Sequence, residues 1–232
     1  MALLQDLGVV MKKDIRYMPS YSVPEAAFYL RLPVSTLRAW LGRQTGFEPL
    51  IYPPSDKPLA LSYINLIEAY VLAAIRRRYT ISMTKVRKAM DYVGREFQTD
   101  HPLADKEFET DGLHLFVREY GNLINITKAG QLEFEEVVKK YLKRIERDPR
   151  GLPVKLYPFA RTGEPDEPKL IFIDPNISFG RPVIAHKSIP VDVIAERYKA
   201  GESIDDLMLD YECEQKEIEE AVRFELYRKE AA

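Results

Sequence analysis

Cysteine is almost missing from this 232-residue chain: Cys213 stands alone. No intramolecular disulfide and no single-chain thiolate cluster can form, and a reducing compartment suits it. Histidine is nearly as scarce, with His101, His114 and His186 scattered and no His-x-x-x-His pair. A glycine-rich phosphate loop and a serine at a strand-to-helix elbow are also lacking, which leaves metal and nucleophile chemistry without a home. We therefore expect no enzyme and no cofactor. No apolar run reaches the roughly 18 to 20 residues of a membrane helix. The opening MALLQDLGVVMKKDIRY places its charges after the apolar stretch and has no small-residue cleavage site, which predicts a cytoplasmic protein without a secretory signal.

What is present belongs to ordinary globular protein: 46% hydrophobic and 30% charged residues. The length leaves room for two or three small modules, each with its own core. The net charge of -2 hides a partition, with about +5 in the first hundred residues and about -5 from Arg181 onward. A basic N-terminal part suits a polyanion, and an acidic C-terminal part suits a basic protein surface.

Three regions are predicted. Residues 1–97 read as helix, turn, helix, wing, helix, helix, the wing lying in the proline-rich stretch from Phe47 to Pro58. Residues 98–168 form a connector. Here EFET, LHLFVREY and LINI, separated by Asp111-Gly112 and Gly121-Asn122, predict a small antiparallel β meander. An amphipathic helix over 130–148 follows, with Leu132, Val138, Tyr141, Leu142 and Ile145 along its stripe. On this reading His114 lies in mid-strand as an ordinary satisfied or surface histidine. Residues 169–232 predict three short helices, with Pro190 near the first start, Gly201 past its end and Ser203 capping the second. Val193, Ile194, Tyr198, Ile204, Leu207, Met208, Ile218 and Val222 are their expected core. The fold class is mostly α with a small β component: a winged helix-turn-helix, a β-meander connector and a trihelical C-terminal module.

The segment YSVPEAAFYLRLPVSTLRAWLGR opens with Ser22-Val-Pro-Glu25, a capping box. Val23, Ala26, Ala27 and Leu30 face Leu37, Trp40 and Leu41 across a turn at Arg31-Leu32-Pro33, leaving Ser35, Thr36, Arg38 and Arg43 outward. Residues near a helix start reach base edges in the major groove, and arginines hold phosphates or guanine. From Ser22 through the Ser35-to-Trp40 core, the wing and the next two helices, residues 21–95 resemble the MerR-type winged helix-turn-helix. That resemblance implies contact with double-stranded DNA through Arg31, Ser35, Thr36, Arg38, Arg43 and, in the wing, Lys57. The chain departs from the family pattern at Arg31 for a turn glycine, Pro33 for a capping serine and Ala39 for an aromatic. A helical hairpin without DNA is the bland alternative.

Toward the C-terminus, Asp174-Pro175, Gly180-Arg181-Pro182-Val183-Ile184, Ile189-Pro190-Val191, Gly201-Glu202-Ser203 and Asp210-Tyr211 resemble unknown-function family 433, a bacterial module found in VapB-like antitoxins paired with PIN-like nucleases. The family's usual Gly-Thr-Arg is His186-Lys187-Ser188 here. The resemblance implies an antitoxin that binds its own operator as a homodimer and silences a PIN-like ribonuclease toxin. Two modes are open: a basic probe such as Lys187, Arg197 or Lys199 reaches the toxin's carboxylate cluster, or the last helix's glutamates, Glu217 and Glu220 among them, meet basic residues along its RNA path. The helix at 130–148 and the 181–198 segment are the candidate dimer interfaces. One rival is a ligand-sensing regulator with a pocket in residues 103–175. Another is an interaction protein whose helix-turn-helix no longer binds DNA.

Overall fold

Tyr21–Ser22 is a short strand, β1, and Ser22 is also the N-cap of helix α1, Val23–Tyr29. The predicted capping box is there: Glu25 N donates to Ser22 Oγ at 3.3 Å, and Ser22 N donates to Glu25 Oε2 at 3.3 Å. Two donors that a helix start leaves open are thereby satisfied. The computed structural model describes residues 14–42, 49–78, 83–124, 127–159 and 168–226.

Helix α2, Val34–Trp40, follows a four-residue turn from Leu30 to Pro33, and its N-cap Pro33 has no side chain that can accept an amide. The expected facing residues are buried: Val23, Ala26, Ala27 and Leu30 on one helix, Leu37, Trp40 and Leu41 on or beside the other. A tight hairpin follows, β2 at Ser55–Asp56 and β3 at Leu59–Leu61, and β1 joins it in the order β1-β3-β2. The register is Tyr21 opposite Leu61 and Ser55 opposite Ala60.

Ser62 and Asn65 cap helix α3, Tyr63–Arg78, with Asn65 N donating to Ser62 Oγ at 3.1 Å. From Ile64 to Ile75 its apolar residues are buried on every side. A helix apolar all round belongs at the centre of a core. Helix α4, Met83–Phe97, buries a stripe of Val86, Ala89, Met90 and Val93.

The connector departs from the expected meander. Phe108–Gly112 is a wide helical turn leading into α5, Leu113–Ile124, so Asp111-Gly112 and Gly121-Asn122 are helical and not hairpin turns. Leu113, Phe116, Val117 and Tyr120 are buried. Their i, i+3, i+4, i+7 spacing satisfies a helix, whereas alternation over so short a run satisfied the strand reading as well. The end of the LINI run, Asn125 and Ile126, lies outside the described residues. His114 is on α5, its side chain 64% exposed and 3.5 Å from Glu135.

Helix α6, Lys128–Leu142, is capped by Thr127, whose Oγ1 accepts from Gly130 N at 3.2 Å. It ends before the predicted position 148, because Ile145–Arg147 is strand β4, paired antiparallel with β5 at Pro153–Leu156. Leu132, expected on the buried stripe, is 63% exposed. Leu156 bridges to Ile173, carrying the pairing toward β6 at Ile171–Phe172, which pairs with β7 at Val183–Ile184. Beyond the N-terminal three-stranded sheet, the described strands thus lie between 145 and 184 and not between 103 and 126.

The C-terminal module has the three expected helices: α7 Val191–Lys199, α8 Ile204–Tyr211 and α9 Gln215–Leu226. Pro190 and Ser203 are N-caps, and Asp206 N donates to Ser203 Oγ at 3.1 Å. Ile194, Leu207, Ile218 and Val222 are buried, whereas Val193 and Tyr198, also expected in the core, are partly exposed. One apolar cluster runs from Tyr21 to Phe224, joining this module to the N-terminal helices. The architecture is mostly helical with small antiparallel sheets. No helix among the described residues is long and apolar enough to cross a membrane.

Candidate functional site

The face of α2 opposite its buried Leu37 and Trp40 carries Ser35 and Arg38, both exposed, and half-buried Thr36. Neither Ser35 nor Arg38 has an ion pair or side-chain hydrogen bond among the described residues. Arg76, near the end of α3, adds a charge that sequence reasoning missed. Its Nη1 donates to Thr36 Oγ1 at 3.2 Å. The run Arg76-Arg77-Arg78 was a visible signal, but nothing in a run of like residues says which neighbouring helix the first of them faces. Lys57 is exposed at the tip of the β2–β3 hairpin. Arg43 lies outside the described residues.

Arg31 goes elsewhere. The turn holds it in the left-handed region, φ 55, where glycine is the usual occupant. Its half-buried side chain packs against the C-terminal module. Nη2 donates to the Phe224 carbonyl at 2.8 Å, and the guanidinium lies 5.0 Å from the Phe28 ring centre and 4.3 Å from that of Phe224. The expectation of a DNA-facing Arg31 gives way to a clamp between α1 and α9.

The partner-binding candidates also divide. Lys187 is 2.8 Å from Glu212, and that carboxylate raises the lysine's pKa. Arg197 bonds Glu202 and Asp210 (2.6 Å to Asp210) and stacks over Tyr211, 5.1 Å to the ring centre. Its hydrogen bonds to Glu202, Tyr211 and Asp210, the one to Glu202 foremost, push its pKa further up. Arg197 therefore ties α7 to α8 within the chain. Lys199 is exposed, with no ion pair among the described residues. Glu217 and Glu220 are buried, contrary to the expected acidic surface. Glu217 Oε2 accepts from Glu214 N at 2.9 Å, and Glu220 pairs with Arg223. Both sit at positions where α9 turns inward, which a count of glutamates does not reveal.

Two further features stand apart. Buried Glu68 of α3 accepts from Asn65 Nδ2 at 3.0 Å and lies 3.2 Å from His101 Nδ1. A cleft of about 510 Å³ opens between α1 and the C-terminal module, bordered by Glu25, Phe28, Arg181, Asp192 and Glu225. Its arginine is 2.9 Å from Asp192. No group of three or more metal-binding side chains is gathered among the described residues.

Comparison with known proteins places these features in context. Residues 171–224 match the family described as a protein of unknown function (DUF433). Over 227 residues the chain is 26% identical to a Mycobacterium tuberculosis protein with the provisional name antitoxin VapB45, covering 85% of this chain and 90% of that one. It shares its fold with the crystal structure of Rv2018 from the same organism, at a TM-score of 0.67 and 22% identity over 88% of this chain and 98% of that one.

Proposed function

We propose that the chain is the antitoxin of a type II toxin–antitoxin pair, a non-enzymatic cytoplasmic protein that represses its own promoter and neutralises a PIN-like ribonuclease. The observation that carries this reading is the extent of the similarity to the VapB45 antitoxin, 85% of this chain and 90% of the other. So long an alignment takes in the N-terminal helices and the C-terminal module together. The geometry supports the DNA half: a helix-turn-helix, a hairpin beside it, and exposed Ser35 and Arg38 with Arg76 next to Thr36. In this reading α2 enters the major groove, Ser35, Thr36 and Arg38 read or approach bases, and Arg43, Lys57 and Arg76 hold phosphates. A homodimer matches an operator of two inverted half-sites.

For the toxin, exposed Lys199 is the readiest cation to approach a carboxylate cluster, with Lys187 joining it once released from Glu212. Arg197, Glu217 and Glu220 act indirectly, by holding the module in shape. The test is co-expression with the product of the neighbouring gene. A full chain that co-purifies with a small ribonuclease and restores growth supports the reading. A chain that does neither, while its promoter shifts in a gel, leaves a DNA-binding regulator without a toxin. The 510 Å³ cleft lies outside residues 103–175, where a ligand pocket was expected, but its size falls in the range of small-molecule sites and favours a second reading, a ligand-sensing regulator. That reading requires promoter affinity to change with an added metabolite and no growth rescue.

A further inference from the structure

The cleft of about 510 Å³ is built from both ends of the chain. One wall is α1, with Glu25, Phe28 and Tyr29. The other is the C-terminal module, with Arg181 just before β7, Asp192 in the first turn of α7 and Glu225 near the end of α9. The rest of its described lining is two prolines, two valines, a leucine and a serine, so charge is confined to four side chains on an otherwise largely apolar surface. Three of those four are carboxylates, and the one guanidinium is already 2.9 Å from Asp192. Glu25, Asp192 and Glu225 against Arg181 leave a formal balance of -2. Such a cleft repels an anion and draws in a cation.

The carboxylates are held in place before any ligand arrives. Tyr29 Oη donates to Glu25 Oε1 at 3.0 Å, and Ser22 N to Glu25 Oε2 at 3.3 Å. Burial raises the Tyr29 pKa and keeps the phenol a donor. Asp192 Oδ1 accepts from Val193 N at 2.9 Å, while Oδ2 accepts from Arg181. Glu225, only 4% exposed, sets a buried carboxylate on the cleft wall, where its field is weakly screened.

Spacing decides the kind of cation. A compact divalent metal needs several oxygens around one point. The three acids stand on three different elements, and no three metal-binding side chains gather among the described residues. A ligand that answers separated carboxylates across an apolar surface carries its own charges apart, on a hydrocarbon chain.

We propose that this cleft binds an aliphatic polyamine, its ammonium groups meeting the carboxylates of α1, α7 and α9 and its methylenes lying along the apolar lining. The volume is within the roughly 300 to 1,000 Å³ of small-ligand pockets. An occupied cleft ties the DNA-side helix α1 to the C-terminal module, sharing Phe28 with the Arg31 contact. The proposal deepens the ligand-sensing reading above: it rests on that reading for the purpose of the cleft and on the lining for the class of ligand.

The test is titration calorimetry of the full chain with spermidine in the absence of DNA. Magnesium chloride at matched ionic strength is the control, and melting temperatures are taken alongside. Spermidine is expected to bind one to one with a Kd below about 1 mM, and magnesium not at all. Two variants move the charge of the site in opposite directions. Asp192→Asn removes a carboxylate and should weaken spermidine binding by about three- to tenfold, whereas Arg181→Gln removes the competing cation and should tighten it by a similar factor. Damage to the fold weakens binding in both, so opposite signs report the site itself. Absence of saturable spermidine binding, equal binding of magnesium, or variants that shift in the same direction overturns the proposal. Gel shifts separate it from the reading it rests on. If spermidine binds with the expected signs but alters promoter affinity equally in wild type and Asp192→Asn, the site stands and the ligand-sensing reading falls. If promoter affinity responds to an anionic or uncharged metabolite and calorimetry shows no spermidine binding, that reading stands and the polyamine proposal falls.

Discussion

Arg31 offers the sharpest test, because sequence pattern assigns it to DNA and the structure assigns it to folding. Replacing it with alanine removes the charged hydrogen bond to the Phe224 carbonyl, worth about 1.5 to 3 kcal/mol. It also removes contacts with the Phe28 and Phe224 rings, worth roughly 0.5 to 1 kcal/mol each. Alanine keeps the left-handed backbone cost, so Arg31→Ala should destabilise the chain by about 2.5 to 5 kcal/mol. Glycine loses the same contacts and regains about 1 kcal/mol at φ 55, so Arg31→Gly should cost about 1.5 to 4 kcal/mol. Urea unfolding measures both, and at about 2 to 4 °C per kcal/mol for a chain of this size the melting temperatures should fall in the same order. Promoter affinity of the folded variants should match wild type. The reasoning fails if Arg31→Gly is as stable as wild type, or if either variant binds DNA tenfold more weakly with its unfolding midpoint unchanged.

Three more outcomes follow from the same geometry. Gly180→Ala sets a Cβ against Tyr21 at φ 75 and should cost roughly 2 to 4 kcal/mol in urea unfolding, combining the left-handed penalty with overpacking. His101 is subject to burial, which lowers its pKa, but Glu68, Asp105 and Asp100 outweigh it and leave the pKa raised. A raised folded pKa gives stability that is full below the unfolded value of about 6.5 and lost as pH rises through the folded value. Urea midpoints should therefore fall between pH of about 6 and about 8 in wild type and less in His101→Gln, and equal slopes would contradict the pairing. In gel shifts Arg38→Ala should weaken promoter binding by about 1 to 3 kcal/mol if it reads a base. Arg76→Ala should lower the salt slope by about one if it holds a phosphate, and unchanged binding in the double variant excludes this face as the reader.

The features legible in the sequence are those whose cause is local. Ser22 with Glu25 and Ser203 with Asp206 mark helix starts because a cap satisfies amides within three residues of itself, and Pro190 marks the start of α7 because its ring fixes an extended backbone just before the helix. The paired apolar faces of α1 and α2 and the three C-terminal helices follow from side-chain period over seven to twelve residues. In the connector, LHLFVREY fits either period, and the choice fell to packing: Phe116 stacks on Tyr120 and Phe134, with centroids 6.0 and 6.5 Å away, once α5 and α6 are side by side. The site shows the same division. Ser35 and Arg38 are outward because Leu37 and Trp40 must be inward, a relation within one helix. Arg31, Arg197 and Glu220 were assigned by residue type alone, and Arg76 was not assigned at all. What each does depends on a partner elsewhere in the chain, 193 residues away for Arg31 and 40 for Arg76. A charged side chain takes its role from the group it meets, and only the tertiary structure decides which group that is.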